Sequence, residues 1–165
     1  MDRWRVIRET CTARSAHAAS MPDCDHSSVH SIVHASLLLA PLVGFVAHDD
    51  PRMLGTVQAI ERNLMRDGFV LRYDTETVRD GLRSGEGAFL ACSLWYADNL
   101  VLQARISEAQ TMLERVAATA NDVGLLAEEF DTQASKQLGN CQQALSHIAL
   151  IDTAYRISDR INEGG

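Results

Sequence analysis

Two adjacent glutamates, Glu128 and Glu129, lie in the stretch GLLAEEFD, which spans residues 124–131. A carboxylate at such a position can act as a general base, because it can take a proton from a water molecule that attacks an acetal carbon. Glycoside hydrolysis by inversion requires a base of this kind opposite a carboxylic acid. One hypothesis is therefore a loop that presents a general base. The alternative is that both glutamates are ordinary solvated loop charges.

The composition limits the classes of function. The 165 residues suffice for one domain with a hydrophobic core, and 46% hydrophobic residues are typical of a globular protein. A formal net charge of −7 argues against a nucleic-acid surface. The longest apolar run, residues 35–45, is too short to span a membrane, and no secretory leader is recognised. The four cysteines are widely spaced and form no CxxC pair, which predicts reduced thiols and a cytoplasmic protein.

Helical periodicity dominates the sequence, whereas the alternation typical of strands is nearly absent. We predict an all-α fold of six antiparallel helices, beginning near residues 2, 29, 51, 86, 107 and 140. Asp50 and Pro51 are suited to the N-cap and the first position of the third helix. Ser107 and Gln110 have the spacing of a capping box, which predicts that Ser107 begins the fifth helix.

Three of the links between these helices are long: residues 20–28, 67–85 and 121–139. In an antiparallel array of consecutive helices, the odd-numbered links all lie at one end. The three long links are the odd-numbered ones, so we predict that they share a face. Long loops on a rigid scaffold often carry function, and Glu128 lies in the last of them.

Four segments carry a resemblance to a known family: LLLAPLVGF, the run from DDPRMLG to LRYDT, the run from GEGAF to LLAEEFD, and QLGNCQQALSHIALIDTAYRI. In order and spacing they resemble the C-terminal part of glycoside hydrolase family 15. That family includes glucoamylases, glucodextranases and bacterial trehalases, and the resemblance is strongest to its bacterial trehalase/glucoamylase-like branch. It covers about residues 2–160 and is weakest over residues 12–33. It implies that residues 1–165 are a partial catalytic domain, whose three helical hairpins form about half of an (α/α)6 toroid.

The resemblance also implies roles for individual residues. LLAEEFD matches the segment that carries the family's catalytic base, so Glu128 is the implied base and Glu129 its neighbour. Four further positions match the family and are candidate substrate-binding residues: Glu86 in GEGAF, Arg72 and Tyr73 in LRYDT, and Trp95 in CSLWY. Each also has a structural interpretation, as a helix-start carboxylate for Glu86, loop packing for Arg72 and Tyr73, and a core position for Trp95.

No cofactor and no metal are expected. Cys24, His26, His30 and His34 are potential ligands, and His30 and His34 have the i, i+4 spacing of a helical zinc site. This spacing is common, however, and the family resemblance implies no metal. His147, in the apolar stretch ALSHIALI, is expected to be a core histidine with satisfied hydrogen bonds.

One family feature is missing from the sequence. The family's general acid lies in a segment of the type Asp-x-Gly-Ile-Trp-Glu, which does not occur here. We therefore predict the C-terminal segment of an inverting α-glucoside hydrolase, which keeps the base, lacks the acid and has little activity alone. Completed by an N-terminal half, it would act on trehalose or an α-glucan.

Two other interpretations stay open. The chain could be a non-catalytic helical-hairpin module that self-associates through exposed inner helices, or a degenerate remnant. Neither nucleic acid nor a membrane is expected as a partner.

Overall fold

The computed structural model describes residues 33–74 and 87–163. The predicted first helix and the first long link lie outside these residues. Glu86 and the possible metal ligands Cys24, His26 and His30 lie outside them as well.

The described residues form five α-helices and five short strands, after a 3-10 helix at Ala35–Leu38. The helices are α1 (Leu39–Leu42), α2 (Pro51–Leu64), α3 (Leu90–Leu102), α4 (Ile106–Ala117) and α5 (Ala144–Glu163). The strands are β1 (Met65–Arg66), β2 (Phe69–Val70), β3 (Ala88–Phe89), β4 (Ala127–Asp131) and β5 (Lys136–Cys141). None of the helices in these segments is both long and apolar enough to cross a membrane.

The helix starts follow from capping in one case and not in another. As predicted, Asp50 caps α2: its Oδ1 accepts a hydrogen bond from the Arg52 N–H at 2.9 Å, and Pro51 occupies the first turn. The predicted start at Ser107 is wrong, because α4 begins at Ile106 without a side-chain cap. Arg105, the residue before α4, forms ion pairs with Glu108 at 2.7 Å and with Glu61 at 2.8 Å.

The prediction of an all-α fold of six antiparallel helices, half of an (α/α)6 toroid, is wrong. The described residues are a mixed α/β arrangement with two small antiparallel sheets. β1 and β2 form a hairpin, while β3, β4 and β5 form a sheet in that order. The stretch predicted as a loop around Glu128 is β4, and the predicted start of the last helix is part of β5. Three of the five strands have only two residues, so they are too short to show the alternation of apolar and polar residues that predicts a strand.

α3 is the central element of the core. Eleven of its thirteen residues are buried, and α4 and α5 both pack against it. β2 and β4 also pack against α3, and Ser93 Oγ in the N-terminal half of this helix accepts a hydrogen bond from the Val70 N–H at 2.9 Å. An element that is apolar on nearly every face must be surrounded on all sides, so α3 holds the flanking elements at fixed positions.

The second and third long links meet in space. Asp67 Oδ2 accepts hydrogen bonds from Thr132 Oγ1 at 2.7 Å and from Gln133 Nε2 at 3.0 Å. The turn between β1 and β2 therefore contacts the turn between β4 and β5. This contact lies next to the strand that carries Glu128.

Candidate functional site

A β-bulge positions Glu128. Ala127 pairs with Cys141 and Glu129 pairs with Leu138, so Glu128 alone on β4 faces two residues of β5, Gly139 and Asn140. A bulge of this kind bends one strand and changes the direction of a side chain on its partner. Gly139 has a φ of +73°, a conformation that glycine adopts without strain.

The Glu128 carboxylate is held through one of its two oxygens. Oε2 accepts hydrogen bonds from Asn140 Nδ2 at 2.9 Å and from the Asn140 N–H at 3.3 Å. No hydrogen bond to Oε1 and no ion pair of Glu128 occurs within the two described segments. The side chain is half-buried. A carboxylate fixed through one oxygen keeps lone pairs on the other for a water molecule.

The Glu128 side chain leaves no room for a Cβ atom at position 139. A Cβ atom there would lie 3.0 Å from both Cβ and Oε2 of Glu128, which is closer than such atoms usually pack. The small residue therefore lets the backbone of β5 approach the carboxylate. A larger residue would displace either the strand or the glutamate.

We expect Gly139→Ala to move the Glu128 side chain and to destabilise the fold, by about 1–2 kcal/mol for the positive φ alone. Gly124→Ala is the matched control, because Gly124 has a similar φ of +80° but no atom within 4 Å of the position that a Cβ would occupy. The comparison is made by chemical denaturation and by the NMR shift of the Asn140 side-chain amide. Equal effects of the two variants on that shift would contradict the steric role of Gly139.

The carboxylate of Glu129 is bonded on the side of β4 that faces β3. Its Oε2 accepts a hydrogen bond from the Gly87 N–H at 3.0 Å, and its backbone pairs with Phe89. A Cβ at Gly87 would lie 2.8 Å from the Phe130 carbonyl oxygen, so glycine permits the close approach of the two strands. The carboxylate of Glu128 is thus bonded to β5, whereas the carboxylate of Glu129 is bonded to the residue before β3, although the two glutamates are adjacent in sequence.

The predicted substrate-binding residues Arg72 and Tyr73 are packed together. The Arg72 guanidinium lies 4.9 Å from the Tyr73 ring centroid and 5.8 Å from that of Phe89, and its Nη2 donates to Tyr73 Oη at 3.2 Å. Tyr73 is buried and stacks on His34 with ring centroids 5.6 Å apart. Because Phe89 pairs with Glu129, this cluster is continuous with the sheet that carries the two glutamates.

The remaining predicted residues are placed as follows. Trp95 is half-buried and packs against the hydrophobic core, while Glu86 lies outside the described residues.

His34 is a potential metal ligand by sequence. Its Nδ1 accepts a hydrogen bond from the Ser36 N–H at 3.1 Å. Burial, together with the charge of Arg72, lowers the pKa of His34. Within residues 33–74 and 87–163, no three potential ligands cluster as a metal site would require.

Sequence reasoning missed Gly87, Gly139 and Asn140. The available signal was weak: a glycine inside a strand often marks a bulge or a close backbone approach, but the sequence predicts a link and then a helix start over residues 136–141. The contact between Asn140 and Glu128 joins residues twelve positions apart, which no local pattern encodes.

Comparison with known proteins identifies relatives of this chain. The model of the family "Glycosyl hydrolases family 15" matches residues 6–155. A trehalase of Mycolicibacterium smegmatis is 44% identical over 123 residues, which are 74% of this chain and 18% of that protein. A trehalase of Thermoplasma acidophilum is 41% identical over 127 residues, 77% of this chain and 22% of the relative. The chain thus spans about a fifth of the length of these curated relatives.

A solved structure described as "Glycosidase Wild Type" superposes with a TM-score of 0.69. It is 21% identical in sequence, and the match covers 94% of this chain and 45% of that one. At this identity the likeness establishes a shared fold.

Proposed function

Since this chain belongs to glycosyl hydrolase family 15, we propose that it contributes the general base, Glu128, to the hydrolysis of an α-linked glucoside such as trehalose. The observation that carries the proposal is the geometry of the carboxylate. Asn140 holds Oε2, whereas Oε1 has no hydrogen bond within the described segments. A base must be oriented and must also keep a lone pair for water, and this arrangement meets both needs.

The proposed reaction follows the inverting scheme. Glu128 removes a proton from a water molecule as the water oxygen bonds to the anomeric carbon of the sugar. The glycosidic C–O bond breaks on the opposite face, and the leaving oxygen takes a proton from a carboxylic acid. We propose that a part of the enzyme outside these 165 residues supplies this acid, because the family's acid motif does not occur in them. The named relatives, which are trehalases several times longer, favour trehalose over an α-glucan.

Complementation tests this proposal. The chain is mixed with M. smegmatis trehalase truncated to lack the segment that this chain matches, and glucose release from trehalose is measured. We expect activity from the mixture and little from either part alone. Absence of activity from a mixture shown to co-purify would contradict the proposal.

A second candidate function, self-association without catalysis, is favoured by one face of α5. Leu145, Ile148, Ile151 and Tyr155, here named the α5 stripe, are all exposed, Ile148 to 57% and Tyr155 to 68%. The opposite face of the helix is buried against α3 and α4. Large apolar side chains grouped on one exposed face mark an interaction surface.

A second copy of the chain suits this surface by charge. Asp152, Arg156, Asp159 and Arg160 flank one side of the α5 stripe. Two antiparallel copies of α5 related by a two-fold axis would bring these same flanks together. Aspartates of one copy could then lie opposite arginines of the other, which favours the pairing.

We expect Ile148→Asp to weaken self-association at least about tenfold, because it places a charge in the middle of the α5 stripe. Size-exclusion chromatography with light scattering measures the effect. Val123→Asp is the matched control, since Val123 is also a well-exposed apolar residue but lies outside α5. A wild-type chain that stays monomeric at all accessible concentrations would exclude this function.

We also propose a reducing, cytoplasmic location. Within the described residues, Cys92 and Cys141 are free thiols, and burial raises the pKa of the Cys92 thiol to about 12. Free thiols are typical of reducing compartments.

A further inference from the structure

The first turn of α5 is bonded to the residues that precede Glu128. The Gln143 N–H, just before the helix, donates to the Leu126 carbonyl oxygen at 3.0 Å. Ser146 Oγ donates to the Ala127 carbonyl oxygen at 2.8 Å, and the Leu126 N–H donates to His147 Nε2 at 3.2 Å. Three hydrogen bonds, two from the first turn of α5 and one from the residue before it, thus connect the helix start to Leu126 and Ala127.

His147 makes a hydrogen bond with each ring nitrogen. Nε2 must be an acceptor, because its partner is the N–H of Leu126. Nδ1 then carries the proton and donates to the Gln143 carbonyl oxygen at 2.8 Å. One neutral tautomer therefore satisfies both contacts, and Gln143 in turn holds the Leu126 carbonyl. The His147 ring and the Gln143 N–H together thus connect both backbone groups of Leu126 to the helix start. The expectation of a histidine with satisfied hydrogen bonds is confirmed, although the ring is half-buried rather than fully buried.

Ser146 provides the bond closest to the glutamate. Its side chain is fully buried, and its acceptor is the carbonyl of Ala127, the residue directly before Glu128. A serine in the first turn of a helix can donate outside the helix without disrupting it. The loss of this donor would leave the buried Ala127 carbonyl without its side-chain partner.

We infer that Ser146 and His147 are positioning residues for Glu128. They fix Leu126 and Ala127 on the helix side of β4, while Asn140 fixes the carboxylate on the β5 side. α5 packs on the buried helix α3, and its first turn, in which Ser146 is fully buried, supports the strand. This inference rests on the proposed role of Glu128 as the base. A displacement of about 1 Å at a reacting group can reduce a rate by about 100-fold, so such support matters for catalysis.

The structural part of this inference is tested on the full chain by NMR. In His147→Leu we expect the Leu126 amide to exchange with solvent about tenfold faster, and the Asn140 side-chain amide resonance to shift. His147→Gln is the conservative variant, because its side-chain oxygen can accept the Leu126 N–H, and it should restore both signals toward wild type. Ser146→Ala provides an independent variant if His147→Leu does not fold. Unchanged Asn140 signals in the folded variants would overturn the inference.

The catalytic part is tested in the complementation mixture. We expect His147→Leu to lower kcat about 10- to 100-fold with little change in KM, and His147→Gln to recover most of the loss. If Glu128→Gln is inactive but His147→Leu has full kcat, the positioning role fails and the proposed base stands. If Glu128→Gln keeps full activity, the proposed base fails, whatever the His147 variants do.

Discussion

Glu128→Gln is expected to reduce glucose release from trehalose by about 10²–10⁴-fold in the complementation mixture, the typical contribution of a general base. Glutamine has the shape of glutamate, and its side-chain oxygen can still accept the hydrogen bond from Asn140. It cannot take a proton from water. The loss should therefore fall on kcat, with trehalose binding and thermal stability close to those of wild type.

Glu129→Gln is the matched control for this prediction. Its side chain can still accept the hydrogen bond from the Gly87 N–H, so the attachment of β4 to β3 should persist. We expect a loss smaller than about tenfold, because the proposal assigns Glu129 no proton transfer. Activity that survives Glu128→Gln, or a larger loss in Glu129→Gln, would reject the assignment of the base.

Asp98→Asn is expected to stabilise the protein at pH 7 by up to about 3 kcal/mol, the equivalent of a two-unit change in pKa. Asp98 lies on α3 and is only 3% exposed. Its Oδ1 has no hydrogen-bond partner in the described part of the chain, and its Oδ2 lies 3.7 Å from Arg156 Nε. Burial raises the pKa of Asp98 to about 6, although Thr153 and Arg156 oppose this effect.

The stabilisation expected from Asp98→Asn depends on pH, because the Asp98 side chain is charged only above its pKa. Between about pH 4 and pH 6 the folded chain holds the Asp98 proton more tightly than the unfolded chain does, since its unfolded pKa is near 3.8. The free energy of unfolding contributed by this group therefore falls as the pH rises through that window. Asparagine has no charge to bury, so the advantage of the variant should be complete above pH 6 and absent below pH 4.

Urea denaturation at pH 4 and pH 7 measures this difference. Asp152→Asn is the matched control, because Asp152 is an exposed aspartate beside the same contact, and it should change stability by less than about 0.5 kcal/mol. A stabilisation by Asp98→Asn of equal size at both pH values would show that burial of the charge is not its cause.

Local patterns in the sequence determined several helices of this protein. Asp50 and Pro51 place the start of α2, since capping depends on a hydrogen bond between near neighbours. The long apolar stretch that became α3 was recognisable as a helix, although a two-residue strand replaces its expected first turn. The family could also be identified, because order and spacing of motifs are properties of the sequence.

The surroundings of Glu128 were decided by tertiary structure. The sequence singled out this glutamate but predicted a loop, because the strand that carries it is short and its partner β5 is mostly polar. Asn140 lies 12 residues away from Glu128, Ser146 lies 19 residues from Ala127, and Gly87 lies 42 residues from Glu129. Contacts at such separations leave no periodicity in the sequence. They form only when the packing of α5 on α3 brings the bulge, the helix start and β4 together.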